Sequence, residues 1–247
     1  METITFIAIG IFTGFVSGLF GIGGGSIRVP LLIMTGMPLV NSFATNMFAI
    51  PFSSGTGSYV QRKNIEWKVV RSFVMGGTLG ILIATFLVGV IASKFLAVIF
   101  FFAALLTIFG LYLNKISFKI YNCITPSKIN LFLGPFFLNL IIGLRGGSGG
   151  TLYPALLHTM HVEMHKAIAT SLFTGFFTSF AALSIYLFRG DVMLLPAIIV
   201  GITNVIGAYL GSKLSLVTDS KWLKLGLSFI VALLAFYVLY KEFFLSL

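Results

Sequence analysis

Two arginines, Arg28 and Arg145, stand well inside apolar sequence, and each adjoins a glycine run: "SGLFGIGGGSIRVP" (17–30) and "RGGSGGTLYP" (145–154). Neither has an acid close in sequence, because Glu66, Glu163, Asp191 and Asp219 all fall at the ends of apolar stretches. An unpaired arginine near a bilayer centre costs about 2.5–3.5 kcal/mol or more, so such a charge points to anion attraction or pathway lining rather than to simple packing. The bland alternative is an arginine that snorkels to the interface or caps backbone carbonyls. The glycines fit the first use. Gly24 and Gly25, and Gly149 and Gly150, let the backbone approach a ligand closely, and the helical pieces starting near Ser26 and Thr151 expose backbone N–H groups at a positive dipole end that favours an anion. Neutral hydroxyls and amides in the same regions would complete the site: Ser26, Thr45, Asn46, Ser148, Thr151, Thr170 and Ser171.

Other chemistries are weaker. "HTMHVEMH" places His158, His161, Glu163 and His165 close together; the expectation is a solvated interfacial loop, with proton coupling, pH sensing and a metal as alternatives. The glycine runs lack the lysine of a P-loop and the strand that precedes a dinucleotide fingerprint. With no buried acid beside the histidines there is no hydrolytic triad. The single cysteine, Cys123, has no partner for a disulfide or metal pair. No catalytic residue, metal or cofactor is expected, and a net charge of +10 on so apolar a chain reflects loop bias at a membrane rather than nucleic-acid binding.

The elements that must hold these residues follow from composition. Hydrophobic residues make up 58% and charged ones 9%, and the mean hydropathy is +1.07. Apolar runs of about 20 residues recur, the mark of an all-α integral membrane protein. The longest polar interval, 114–130, is too short to fold alone, so the chain reads as one transmembrane domain over 1–247. Its N-terminus lacks the basic start and cleavage site of a signal peptide, and is expected to be retained.

The chain also repeats itself. At a shift of about 125 residues Phe48 meets Phe173, Phe52 meets Phe177, Thr45 meets Thr170 and Asn46 meets Ser171; one residue less aligns Gly23 with Gly147 and Pro30 with Pro154. Two halves result, about 1–114 and 129–247, joined by a linker at 115–128. Each contains an interrupted segment (4–36; 129–160) and three continuous ones (42–61, 68–91, 95–113; 167–187, 192–211, 222–240).

If the interrupted segments cross the membrane, eight spans and parallel halves follow. The inner side then holds Arg62, Lys63, Lys68, Arg71, Lys115, Lys119, Lys128, Arg189 and Lys241, and the outer side Lys94, Lys166, Lys213, Lys221 and Lys224, a nine-to-five split. If they turn back as re-entrant hairpins the second half inverts, the last four of those lysines exchange sides with Arg189 and Lys241, and the split becomes eleven to three. The excess of lysine and arginine on cytoplasmic loops favours the inverted repeat of one broken hairpin plus three spans. Inverted halves with broken helices meeting at mid-membrane are a recurring plan of secondary transporters.

These stretches carry a family resemblance: "GIFTGFVSGLFGIGGGSIRVPLL" (10–32), "NSFATN" (41–46), "RGGSGGTLYPALL" (145–157), "AIATSL" (167–172) and "IIVGITNVIGAYLGSKLS" (198–215). Over nearly its whole length the chain resembles the TauE/SafE sulfite exporter family, also called the 4-toluene sulfonate uptake permease (TSUP) family. The resemblance implies a multi-pass protein of the cell membrane that transports small sulfur-containing anions such as sulfite, sulfonates or sulfoacetate. It leaves open the direction, the coupling ion, the oligomeric state, and whether the protein is a carrier or an anion channel.

Overall fold

In lipid a backbone must satisfy its own polar groups, and the chain does so as helices. The structure, a computed structural model, describes residues 2–88, 95, 98, 101, 102, 104, 105, 108, 109, 111, 112, 126–144, 147 and 149–240. The first half contributes α1 (Glu2–Phe20), α2 (Gly25–Met34), α3 (Leu39–Val60) and α4 (Trp67–Phe86). The second contributes α5 (Lys128–Gly143), α6 (Tyr153–Thr159), α7 (Met164–Arg189), α8 (Leu194–Val217) and α9 (Ser220–Tyr240). Described positions between 95 and 111 are also helical, and the described residues contain no strand.

Among the described residues five helices, α1, α4, α7, α8 and α9, are long and apolar enough to cross a membrane. At 22 residues α3 is as long, but its Ser42, Thr45, Asn46, Ser53 and Ser54 lower its hydropathy. All five are buried, so α3 turns its polar face to the neighbouring helices.

Small residues set how the helices approach, as is usual where lipid offers no hydrophobic drive for helix association. A Cβ on Gly207 or Gly211 of α8 would collide with the backbone of Ile11 or Phe15 on α1, and one on Gly76 or Gly80 of α4 with the backbone of Phe132 or Phe136 on α5. The order of these contacts makes α1 parallel to α8 and α4 parallel to α5. Across the centre α3 runs antiparallel to α7: the Asn41 amide donates to the Asp191 carbonyl at 2.9 Å, and Gly57 lies against Leu172. Along α7 and α4 the order is parallel, from Glu66 N donating to Thr170 Oγ1 at one end to Arg189 donating to the Thr85 carbonyl at the other.

One consequence is that α1 and α3 point the same way, so α2 must fold back between them. It does: Leu32 shares a buried cluster with Ile9, while Arg28, a turn earlier, reaches Thr13. In the same way α6 folds back on α5, with Gly134 packed against Leu156 and Met160. Every described helix of the first half thereby points opposite to its counterpart in the second.

The turns sort by charge. One end of the bundle gathers Arg62 and Lys63 between α3 and α4, Lys128 at the start of α5, and Lys166, which pairs with Glu66 at 2.8 Å. There His165 Nε2 donates to the Thr218 carbonyl at 3.0 Å, tying α7 to the α8–α9 turn. At the opposite end Arg189 pairs with Asp191 at 3.0 Å.

Candidate functional site

The site begins where α1 stops. Gly21, Gly23 and Gly24 adopt left-handed φ of 74°, 70° and 71°, a region that strains L side chains and ends the helix. The chain reverses and α2 starts at Gly25, so that one turn later Arg28 faces back toward α1. Arg28 is 0% exposed. Its Nε donates to Thr13 Oγ1 at 3.1 Å, its Nη1 to Asn46 Oδ1 at 2.9 Å and its Nη2 to Asn204 Oδ1 at 3.0 Å. The partners come from α1, α3 and α8.

Two of these acceptors are oriented by other bonds. Thr13 spends its hydroxyl proton on the Ile9 carbonyl at 2.7 Å, which leaves a lone pair for Arg28. Asn204 donates its amide to the Ala49 carbonyl at 2.8 Å, which turns its oxygen toward the guanidinium. The glycines supply the room: a Cβ on Gly24 would stand 2.9 Å from Arg28 Nη2, and one on Gly25 would stand 2.8 Å from Asn46 Nδ2. Of five guanidinium N–H groups the three partners engage three, and all three are neutral. Among the described residues no carboxylate lies within ion-pair distance of Arg28.

The two hairpins meet beside this centre. Ser26 Oγ and Thr151 Oγ1, 125 residues apart, hydrogen-bond to each other at 2.6 Å. Thr151 belongs to a single 3₁₀ turn, Gly149–Thr151, and α6 starts two residues later at Tyr153, next to Pro154. The second hairpin therefore enters its helix later than its glycine run suggests, and Ser26 is the second residue of α2 rather than the first.

The other expected residues scatter. Ser171 donates to the Gly21 carbonyl at 2.6 Å, which ties α7 to the first glycine run. Thr170 sits beside it in sequence but accepts from Glu66 N at 2.9 Å, toward the cation-rich end. Thr45 is fully buried and its hydroxyl has no partner among the described residues. The symmetric pairs Thr45/Thr170 and Asn46/Ser171 thus do unlike jobs. Arg145 and Ser148 lie outside the described residues.

Thr13 is the holder of Arg28 that sequence reasoning missed, since nothing marks one threonine in an apolar helix. Asn204 reads from the sequence as a polar residue lining the path, and nothing in its spacing ties it to Arg28. Gln61 was also unmarked: it is 1% exposed, donates to the Gly18 carbonyl at 3.1 Å, and its Oε1, like the nearby Ser17 hydroxyl, has no partner among the described residues. These atoms lie between Arg28 and the cation-rich end.

The histidines disperse rather than converge. His158 bonds the Val162 carbonyl at 2.9 Å, and burial holds its imidazole below the ordinary value, with the Val162 bond acting in the other direction. His165 faces Glu163 and Thr218, and His161 occupies a left-handed turn at φ 65°. Among the described residues no group of three metal-ligating side chains could hold an ion.

An apolar helical chain with an arginine buried in its first broken hairpin can now be set beside known proteins. The model of the family described as sulfite exporter TauE/SafE matches residues 6–238. The chain belongs to that family.

Relatives agree at the level of membrane transport. A probable membrane transporter protein, ORF9, of a Sinorhizobium species is 27% identical over 218 residues, covering 85% of this chain and 82% of that protein. A probable membrane transporter protein of Haemophilus influenzae is 25% identical over 213 residues, 83% of this chain and 82% of its own length. The probable membrane transporter YunE of Bacillus subtilis is 40% identical over a shorter 77 residues, 30% of this chain and 28% of that protein. No solved structure matches. This TauE/SafE protein is a multi-pass membrane transporter.

Proposed function

We propose that the protein is a secondary transporter of small sulfur-containing anions, such as sulfite, sulfonates or sulfoacetate, working by alternating access around a site between its two hairpins. The observation that carries the reading is Arg28: a fully buried cation held by three neutral oxygens, with no carboxylate beside it among the described residues. A buried charge is stable only when compensated, and an arriving oxyanion supplies the compensation the protein lacks. A guanidinium suits a sulfite or sulfonate because its planar N–H array offers several donors to a multi-oxygen anion. Ser26, Thr151, and the first-turn N–H groups of α2 add neutral donors next to it.

The two halves act as inverted repeats in the bilayer, with the cation-rich end in the cytoplasm. Opposed helix directions and the sorting of charge support this arrangement. Rocking of one half on the other around the hairpin junction would expose the site to each side in turn. The cell membrane is the expected location.

The test is uptake and counterflow in proteoliposomes with sulfite, alkyl and aryl sulfonates, sulfate and nitrate. Saturable uptake with counterflow for the sulfur anions is expected; large unitary currents would make the protein a channel instead. Topology is tested with single cysteines at Lys63 and Lys221 in a Cys123→Ala background. Equal protection from an external impermeant thiol reagent is expected, and opposite labelling would restore parallel halves.

A further inference from the structure

A second place on the molecule is built to hold an anion. A cavity of about 920 Å³ opens at the cation-rich end between the starts of α4 and α5 and the α6–α7 turn. Its cations are Lys68, Arg71, Lys128 and Lys166, and its acids are Glu66 and Glu163. Each acid is already engaged: Glu66 pairs with Lys166 at 2.8 Å, and Glu163 with His165 at 2.9 Å. Lys68, Arg71 and Lys128 are left with no counter-ion among the described residues, so the field into the cavity is positive.

Beneath these charges the wall is apolar. Val69, Leu131, Met160 and Val162 are buried in one cluster that forms the floor, and Met75 reaches the wall from the next turn of α4. Ser72 adds a hydroxyl to the cavity lining. Charge at the mouth and hydrocarbon below match a ligand with the same division.

We infer that this cavity is a binding site for an amphiphilic oxyanion, a phosphate or sulfonate head on an apolar body, held by Lys68, Arg71 and Lys128 with its body on Val69 and Leu131. That chemistry has two sources: an anionic phospholipid from the adjoining leaflet, or a soluble organic anion. The site is separate from Arg28 and stands whether or not Arg28 meets the transported anion.

The experiment is ligand-dependent thermal stabilisation of the purified full-length protein in a neutral detergent. The probes are dihexanoyl phosphatidylglycerol, hexanesulfonate, inorganic sulfate and dihexanoyl phosphatidylcholine. Saturable stabilisation is expected with phosphatidylglycerol alone for a lipid site, or with hexanesulfonate as well for a soluble anion. Sulfate and phosphatidylcholine should act at least tenfold more weakly. Lys68→Gln/Arg71→Gln/Lys128→Gln should weaken the effective probe by tenfold or more. Lys166→Gln alone frees the Glu66 carboxylate into the cavity and should weaken it several-fold, while Glu66→Gln/Lys166→Gln restores it; this pair reads the same site should the triple variant not fold. No stabilisation by either amphiphilic anion, or full stabilisation of the triple variant or of Lys166→Gln, overturns the assignment.

Discussion

The two hairpins share a scaffold and differ in what they carry. In the first, the residue two beyond the junction serine Ser26 is Arg28, with oxygen partners on three helices. In the second, the residue two beyond the junction threonine Thr151 is Tyr153, an aromatic side chain that is also fully buried. Its hydroxyl faces Gly77, and it stacks edge-on against Phe73 at 4.9 Å between ring centroids. Asn139 nearby donates to the Gly77 carbonyl at 2.6 Å, as Asn204 beside Arg28 donates to the Ala49 carbonyl. One hairpin thus carries a buried charge and the other a buried ring. Pairing residues by the 125-residue shift is therefore a poor guide to chemistry, as the unlike surroundings of Thr45 and Thr170 also show.

Replacing the charge should have the largest effect. Arg28→Gln is expected to reach the membrane but bind the sulfur anion tenfold or more weakly, about 1.4 kcal/mol per decade, measured by equilibrium binding to purified protein. Arg28→Lys should recover only part, since it keeps the charge and loses the planar fork. Unchanged affinity in Arg28→Gln would mean that the asymmetry between the hairpins is structural only.

A middle-sized effect belongs to the junction the halves share. In a double-mutant cycle on thermal stability, Ser26→Ala and Thr151→Val should couple by about 1 kcal/mol, the net worth of one buried hydrogen bond. Additive losses would show that the hairpin tips stand apart.

The smallest effect is expected on the other side of the comparison. Tyr153→Phe should change anion affinity by less than about twofold, because only the hydroxyl is lost and the ring packing on Phe73 is retained. A loss comparable to that of Arg28→Gln would make the second hairpin an equal partner in binding.

Much of the fold was legible because lipid imposes length and polarity on every span. The segment expected at 42–61 is Leu39–Val60, and that at 222–240 is Ser220–Tyr240. The segment expected at 192–211 continues to Val217, because Ser212, Lys213 and Ser215 read as loop residues, although Ser212 and Ser215 are buried inside the bundle. At the site, Arg28, Gly24 and Gly25 were marked by charge and glycine spacing, Ser26 and Thr151 as starts of the helical pieces after the glycine runs, and Asn46 as a neutral donor matched by the repeat to Ser171. Thr13 was invisible, because threonine is common in membrane helices and its role depends on where the hairpin turns back.

The sequence by itself determined that the chain is a membrane protein, that each half is broken at a glycine run, and that Arg28 lies in apolar surroundings with no acid near it in sequence. Those properties are local, since hydropathy and backbone strain act over a few residues. Only the tertiary structure decided which oxygens hold Arg28, that Ser26 meets Thr151, and that Glu66 is occupied by Lys166. The physical reason is separation along the chain: Asn204 lies 176 residues from Arg28, and Glu66 100 from Lys166. Such pairs form where glycines let α1 approach α8 and α4 approach α5, a consequence of how whole helices pack rather than of any local pattern.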